Sequence, residues 1–421
     1  MKKKVLVLCY SELNLDPRLR RQVQWLKDDY DVTVSGLKNF EDIPVRFIPI
    51  TPQISIDKFN VHKQKVKPID FHLNYPAPLR KLFSLFIKGY LLIQSTPNLL
   101  LSEKQQYENT YWFNDLWYGR CPDERMDYID SLKGEYFDFI LANDIETLPL
   151  ALKISNGKSK VILDSHEYHP GESDDNKDWV KKQKAVVTYL CKEYIPKVDL
   201  MFTVGQNISK KFEAEFHKKS FVITNAPSYS ANLNPVPVGD KIKIIHHGLC
   251  VNGRNIGAMI EMMKYTDERF TLDLMLLPVA WEKEYYEELK REAAKYKNVK
   301  MLLPVPTSEI AQFTNQYDIG LFLLPPVNFN YTNALPNKFF EFVQARLAIA
   351  IGPSPEMAEY INKYELGIIS DDFSPQSLAK GINTLTAEQI WHYKQQSHKY
   401  AYDLSAEKNK QLLLSKMKEL I

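Results

Sequence analysis

Cysteine is sparse and scattered: Cys9, Cys121, Cys191 and Cys250 are the only four in 421 residues. They make neither a CxxC pair nor a zinc-finger spacing, which excludes a disulfide framework and a thiolate zinc module and suits four free thiols in a reducing compartment. An excess of one charge is also missing. Lys and Arg number 54 against 52 Asp and Glu, a formal net charge of +2, so no whole-chain attraction to nucleic acid is expected and any basic site must be local. No uncharged apolar run approaches the ~20 residues that cross a bilayer. The opening MKKKVLVLCYSEL passes from a basic run into a short apolar stretch and a polar turn, without the long apolar region or small-residue cleavage site of a secretory leader. A cytoplasmic protein is the expectation. Short-period repeats and low-complexity tracts are absent as well.

The chain is too long for one ordinary core, so two domains are expected. Short apolar runs alternate with helical patterns in both halves. In the first half they are Val5 to Cys9, Val32 to Ser35, Phe137 to Ala142, Val161 to Leu163, Leu200 to Val204 and Phe221 to Ile223, with a helix expected from Pro17 to Lys27. The second half restarts the same grammar with Ile242 to His246, Leu272 to Leu277, Val299 to Leu303, Ile319 to Leu323, Leu347 to Ile351 and Gly367 to Ile369. Such alternation indicates parallel sheets covered by helices on both faces, an α/β chain of two Rossmann-like halves. The stretch APSYSANLNPVPVG lacks periodicity and reads as connector and hinge, giving boundaries of 1–225, a linker at 226–240, 241–390, and closing helices over 391–421.

A segment of about 55–132 breaks the alternation and reads as a helical insertion into the first domain. Within it LRKLFSLFIKGYLLI, from Leu79 to Ile93, mixes basic and bulky apolar residues at helical spacing. That pattern fits either peripheral contact with the inner face of a membrane or a core-facing helix with solvated lysines.

The stretch YTNALPNKFFEFVQARLAIAIGPSPEMAEYI carries the most chemistry. Pro336 suits a first helical turn, which would leave backbone N–H groups of Leu335 and Asn337 at a helix N-terminus, a natural seat for a diphosphate. Lys338 would add a positive charge there, and Glu341, one turn on, would accept hydrogen bonds from a ribose diol. The competing reading is a capped surface helix with Lys338 and Glu341 merely solvated.

These residues resemble the donor motif of the retaining glycosyltransferases of family four, enzymes of the two-domain GT-B type. The likeness extends to ANDIETLPLAL, KVILDSHEYHP, DLMFTVGQNISKKF and VITNAP in the first half, and to IIHHGLCVNGRNI, similar to the donor-phosphate loop, in the second. It implies two Rossmann-like domains facing across a cleft, the first binding the acceptor and the second a nucleoside-diphosphate sugar such as a UDP-sugar. At matching positions it implies that Glu341 binds the donor ribose, that Arg254 faces the diphosphate and that Gly248 permits close approach. It further implies that His166, with Glu167 beside it, flanks the transferred sugar, and that Val305 lies near the base. Two positions depart from the family. Asn333 stands eight residues before Glu341, where a sugar-binding glutamate is usual, and no second arginine occurs at Leu249 or Cys250.

Asp16 and Arg18, in the loop after the first strand, are candidates for acceptor binding, or else a helix cap and an ion pair. No DxD-type pair falls at a strand end of the second half, so transfer without metal or cofactor is expected, with Arg254, Lys338 and the helix start meeting the leaving diphosphate. The expected activity is hexosyl transfer with retention to a saccharide or lipid-linked acceptor, in surface polysaccharide or glycan synthesis. The rivals are a nucleotide-sugar epimerase on the same fold and a catalytically silent GT-B scaffold.

Overall fold

The computed structural model describes residues 2–50, 102–107, 132 and 134–420. The 79–93 segment, and with it the membrane reading, lies outside them. Among the described residues, no helix is long and apolar enough to cross a membrane.

Among the described residues, thirteen strands form two sheets of seven and six. The first contains β1 (Lys4–Leu8), β2 (Asp31–Gly36), β3 (Arg46–Pro49), β4 (Phe139–Asn143), β5 (Lys160–Ser165), β6 (Leu200–Thr203) and β7 (Phe221–Val222), in the order β3-β2-β1-β4-β5-β6-β7. The second contains β8 (Ile242–Cys250), β9 (Phe270–Pro278), β10 (Val299–Leu302), β11 (Ile319–Phe322), β12 (Ala348–Ile351) and β13 (Gly367–Ile369), in the order β10-β9-β8-β11-β12-β13. Pairing is parallel, as in Val5 opposite both Val32 and Phe139, and Ile319 opposite both Ile244 and Ala348. Parallel strands need long crossovers, which helices supply for most pairs, while β2 and β3 are joined by residues 37–45 without a helix.

The chain divides into two compact units. Unit 1 is Met1–Asp164 with His169–Leu200, and unit 2 is Ser165–Tyr168 with Met201–Ile421. The connector sequence of residues 226–239 therefore lies within unit 2.

In unit 2 the strands are apolar on both faces. Ile244, Leu272, Leu274, Leu321, Ala348 and Ala350 enter one core, while Ile245, Met275, Phe322, Ile349 and Ile351 enter the other. This is the period-two consequence of helices on either side. Gly320 on β11 is where one helix comes close: a Cβ there would stand 2.3 Å from Phe342 Cγ. Its absence lets the Asn337–Gln344 helix lie down on the sheet. The same unit holds the Gln206–Phe216 helix, whose first turn is capped from far along the chain. Glu356 accepts hydrogen bonds from the N–H of Gln206 (2.5 Å) and of Asn207 (2.8 Å).

The sequence-derived strands all form. β8 runs four residues beyond the expected end at His246, and β3 is additional.

Candidate functional site

The Asn337–Gln344 helix follows Pro336, whose extended backbone (φ −77°, ψ 158°) makes it the N-cap rather than the first helical residue. Every side chain of the helix after Asn337 is buried. Lys338 is 6% exposed and Glu341 9%, so the solvated-surface reading of this helix does not hold. An amine at that depth needs a partner. Lys338 Nζ has no hydrogen bond; it lies 4.3 Å from the centroid of the Phe322 ring, a cation–π contact that replaces only part of its lost hydration.

β8 supplies the opposite wall. Gly248, at φ +132°, follows the buried run Ile244 to His247, and a Cβ on it would stand 3.1 Å from Lys338 Nζ and 3.7 Å from Arg254 Nη1. Two cations thus flank one bare backbone position. Arg254 sits on the short turn after β8, donating to Leu249 O at 3.3 Å and to the Tyr331 hydroxyl. Burial, then repulsion from Arg254, holds the Lys338 amine well below its usual 10.5, with Glu341 opposing. Burial lowers Arg254 too. Two like charges desolvated together, beside a helix N-terminus, form a site that favours an anion.

His246 and His247 complete the wall. His246 donates from Nδ1 to Leu321 O at 2.8 Å and stacks on Phe322 at 5.9 Å, leaving Nε2 buried without a hydrogen bond. Burial, then the Lys338 charge, holds its ring well below the usual 6.5 and lowers His247 to about 3. Both rings are therefore neutral. His247 Nε2 stands 3.6 Å from Glu341 Oε2, beside the carboxylate assigned to the ribose.

The short Phe329–Thr332 helix leads into this region. Asn333, at its end, donates to Phe329 O at 2.9 Å and accepts from Asn207 at 3.1 Å, so both ends of its amide are engaged. Leu335 is buried, and Val305 packs against the same core as Leu335 and Phe339. His166 and Glu167 belong to the short 165–168 stretch of unit 2. Asn330 ties that stretch down, accepting from Tyr168 N–H at 2.9 Å and donating to Tyr168 O at 3.2 Å and to Glu167 Oε2 at 3.4 Å. The 165–168 stretch is thereby tied to the Phe329–Thr332 helix, which precedes Asn333 and the Asn337 helix start in the chain. Asp16 and Arg18 lie in unit 1. Asp16 caps the Pro17–Leu26 helix, accepting from Arg18 and Leu19 N–H, and Arg18, 5% exposed, makes a two-pronged ion pair with buried Asp164.

Sequence reasoning did not single out His246, His247, Asn330, Tyr331 or Phe322. The adjacent histidines before Gly248 were the one local signal.

No model of a known family and no curated protein matches the sequence. Solved structures do match. HepE of Anabaena, in complex with UDP, aligns over 100% of both chains with a TM-score of 0.65 at 13% identity. A sucrose-phosphate synthase from Thermosynechococcus elongatus aligns over 100% of this chain and 99% of its own, with a TM-score of 0.65 at 11% identity. An alpha,alpha-trehalose-phosphate synthase (UDP-forming) from Burkholderia vietnamiensis covers 99% of this chain and 100% of its own, with a TM-score of 0.63 at 9% identity. These are GT-B glycosyltransferases, and the chain shares their fold.

Proposed function

We propose that the protein transfers a hexose from a nucleoside-diphosphate sugar, with UDP as the favoured nucleotide, to a saccharide or lipid-linked acceptor. One observation carries this reading: the buried Lys338 ammonium, without a hydrogen bond, flanks bare Gly248 together with Arg254. A diphosphate supplies the charge that both cations lack. UDP in the HepE complex, on the same fold, suits the reading.

Departure of the nucleoside diphosphate builds negative charge on the bridging oxygen, and Arg254, Lys338 and the Asn337 helix start are preorganised to receive it. No divalent ion is needed for that stabilisation. Glu341, held beside neutral His247, accepts from the ribose diol. As the C1–O bond to phosphate breaks, the acceptor oxygen bonds to C1 from the same face and passes its proton to the departing phosphate oxygen, so configuration is retained. His166 orients the sugar, with Glu167 alongside. Surface polysaccharide or glycan synthesis in the cytoplasm is the setting this chemistry fits.

Calorimetry with UDP tests the site. Glu341→Ala and Arg254→Ala should each weaken binding at least tenfold, about 1.4 kcal/mol, with the fold retained. Unchanged affinity in both variants removes the proposal, and turnover that requires added manganese in protein never exposed to chelator overturns its metal-free part.

A further inference from the structure

Unit 1 carries a second cluster of chemistry, to which the proposed transfer assigns no role. β4 and β5 are parallel neighbours, with Asn143 opposite Asp164, and the chain leaves each at its carboxyl end. After β4, Asp144 takes a left-handed φ of +64°, and a short turn, Ile145–Thr147, presents Glu146. In the loop following β5, the turn His169–Gly171 places His169 and Glu172. Glu146, His169 and Glu172 each offer a ligand atom, all within 4.8 Å of one another.

His169 is 4% exposed, and its Nδ1 is buried without a hydrogen bond, 3.8 Å from Glu172 Oε2. The other ring nitrogen, Nε2, stands 3.4 Å from Asp144 Oδ1 and 3.4 Å from the Ile145 backbone N–H, so the turn after β4 holds that side of the ring. A metal-bound histidine has one nitrogen facing the ion and the other held by its neighbours; binding at Nδ1 would leave the proton on Nε2, directed at Asp144 rather than at the Ile145 N–H. Zinc bonds of ~2.0–2.2 Å place tetrahedral ligand atoms about 3.4 Å apart, so Glu172 Oε2 must close on Nδ1 by a few tenths of an ångström from 3.8 Å, and the widest pair, within 4.8 Å, by up to ~1.4 Å. The Glu172 carboxylate is 43% exposed, which leaves room to adjust.

We infer that Glu146, His169 and Glu172 form a divalent-cation site of the zinc class, with Asp144 orienting the ring, and that the ion braces the loops after β4 and β5. All four residues belong to unit 1, whereas Arg254, Lys338 and Glu341 belong to unit 2. The proposed diphosphate contacts include no residue of this cluster. The ion's fourth position falls to water.

Zinc(II) alone, titrated into chelator-treated full-length protein under reducing conditions, tests the inference. One equivalent should bind and raise the melting temperature, Glu172→Gln and Glu146→Gln should each weaken binding at least tenfold, and Glu341→Ala should leave it unchanged. Glu172 is half-exposed, so its variant stays informative even if His169→Gln fails to fold. No zinc uptake, or equal uptake by Glu172→Gln, overturns the site; in that case the carboxylates merely hold a protonated His169, whose ring Asp144 and Glu172 keep charged against the effect of burial. UDP binding is unaffected by either result.

Discussion

Lys338 Nζ and the Phe322 ring centroid are 4.3 Å apart, and that aromatic face, together with the Glu341 carboxylate, is set against the burial of an ammonium with no hydrogen bond. The arrangement is costly in the empty protein and useful in the loaded one.

Replacing the amine should therefore separate stability from binding. Lys338→Met keeps most of the volume and removes the buried charge, a change that is often neutral or stabilising. The expected melting temperature is higher by about 2–4 °C. Affinity for UDP should fall 10- to 100-fold, since hydrogen bonds to a charged group contribute ~1.5–3 kcal/mol. A variant that melts lower and still binds UDP would show the lysine to be a packing residue.

The pH dependence has a defined sign. Unfolded, the Lys338 amine keeps its proton up to about 10.5; folded, burial and Arg254 make it release the proton well below that. Between the two values the unfolded chain holds one more proton, so stability rises with pH there. Below the folded value both states are protonated and the full cost of burying the charge is present. The stability advantage of Lys338→Met over the parent should thus be greatest at low pH and shrink as pH rises toward 10. Thermal melts across that range check it, and a gap independent of pH contradicts it.

Gly248 admits a sharper test. Alanine there must adopt φ +132° and set a methyl group 3.1 Å from Lys338 Nζ. Backbone strain of this kind costs about 1–3 kcal/mol, and the displaced ammonium no longer lines up with Arg254. Gly248→Ala should melt lower and bind UDP more than tenfold less tightly. Retained affinity would mean that the nucleotide does not approach this backbone.

The expected strands were legible because parallel strands covered on both faces are apolar throughout, as in Leu347 to Ile351. β8 was expected to end at His246 because two histidines and a glycine read as polar. The strand continues because His246 stays neutral, gives its Nδ1 proton to Leu321 O and stacks on Phe322. β3 escaped notice because it is short, partly exposed and ends at Pro49. In the candidate site, helix spacing alone put Pro336, Lys338 and Glu341 at the start of one helix and left a solvated surface helix equally open. The partners that give them meaning could not: Phe322 and Gly248 come from other strands, and Asn330 reaches back to Tyr168, 162 residues earlier. Arg18 shows the same limit, since Asp164, the acid that holds it, lies 146 residues away.

The cap on the Gln206–Phe216 helix sets an order on synthesis. Glu356, which closes that helix's first turn, follows Asn207 by 149 residues. At ~5–20 residues per second, the nascent helix waits roughly 7–30 s for the carboxylate that completes it. Until the ribosome has passed this glutamate, its first amides must be satisfied by water or by a chaperone.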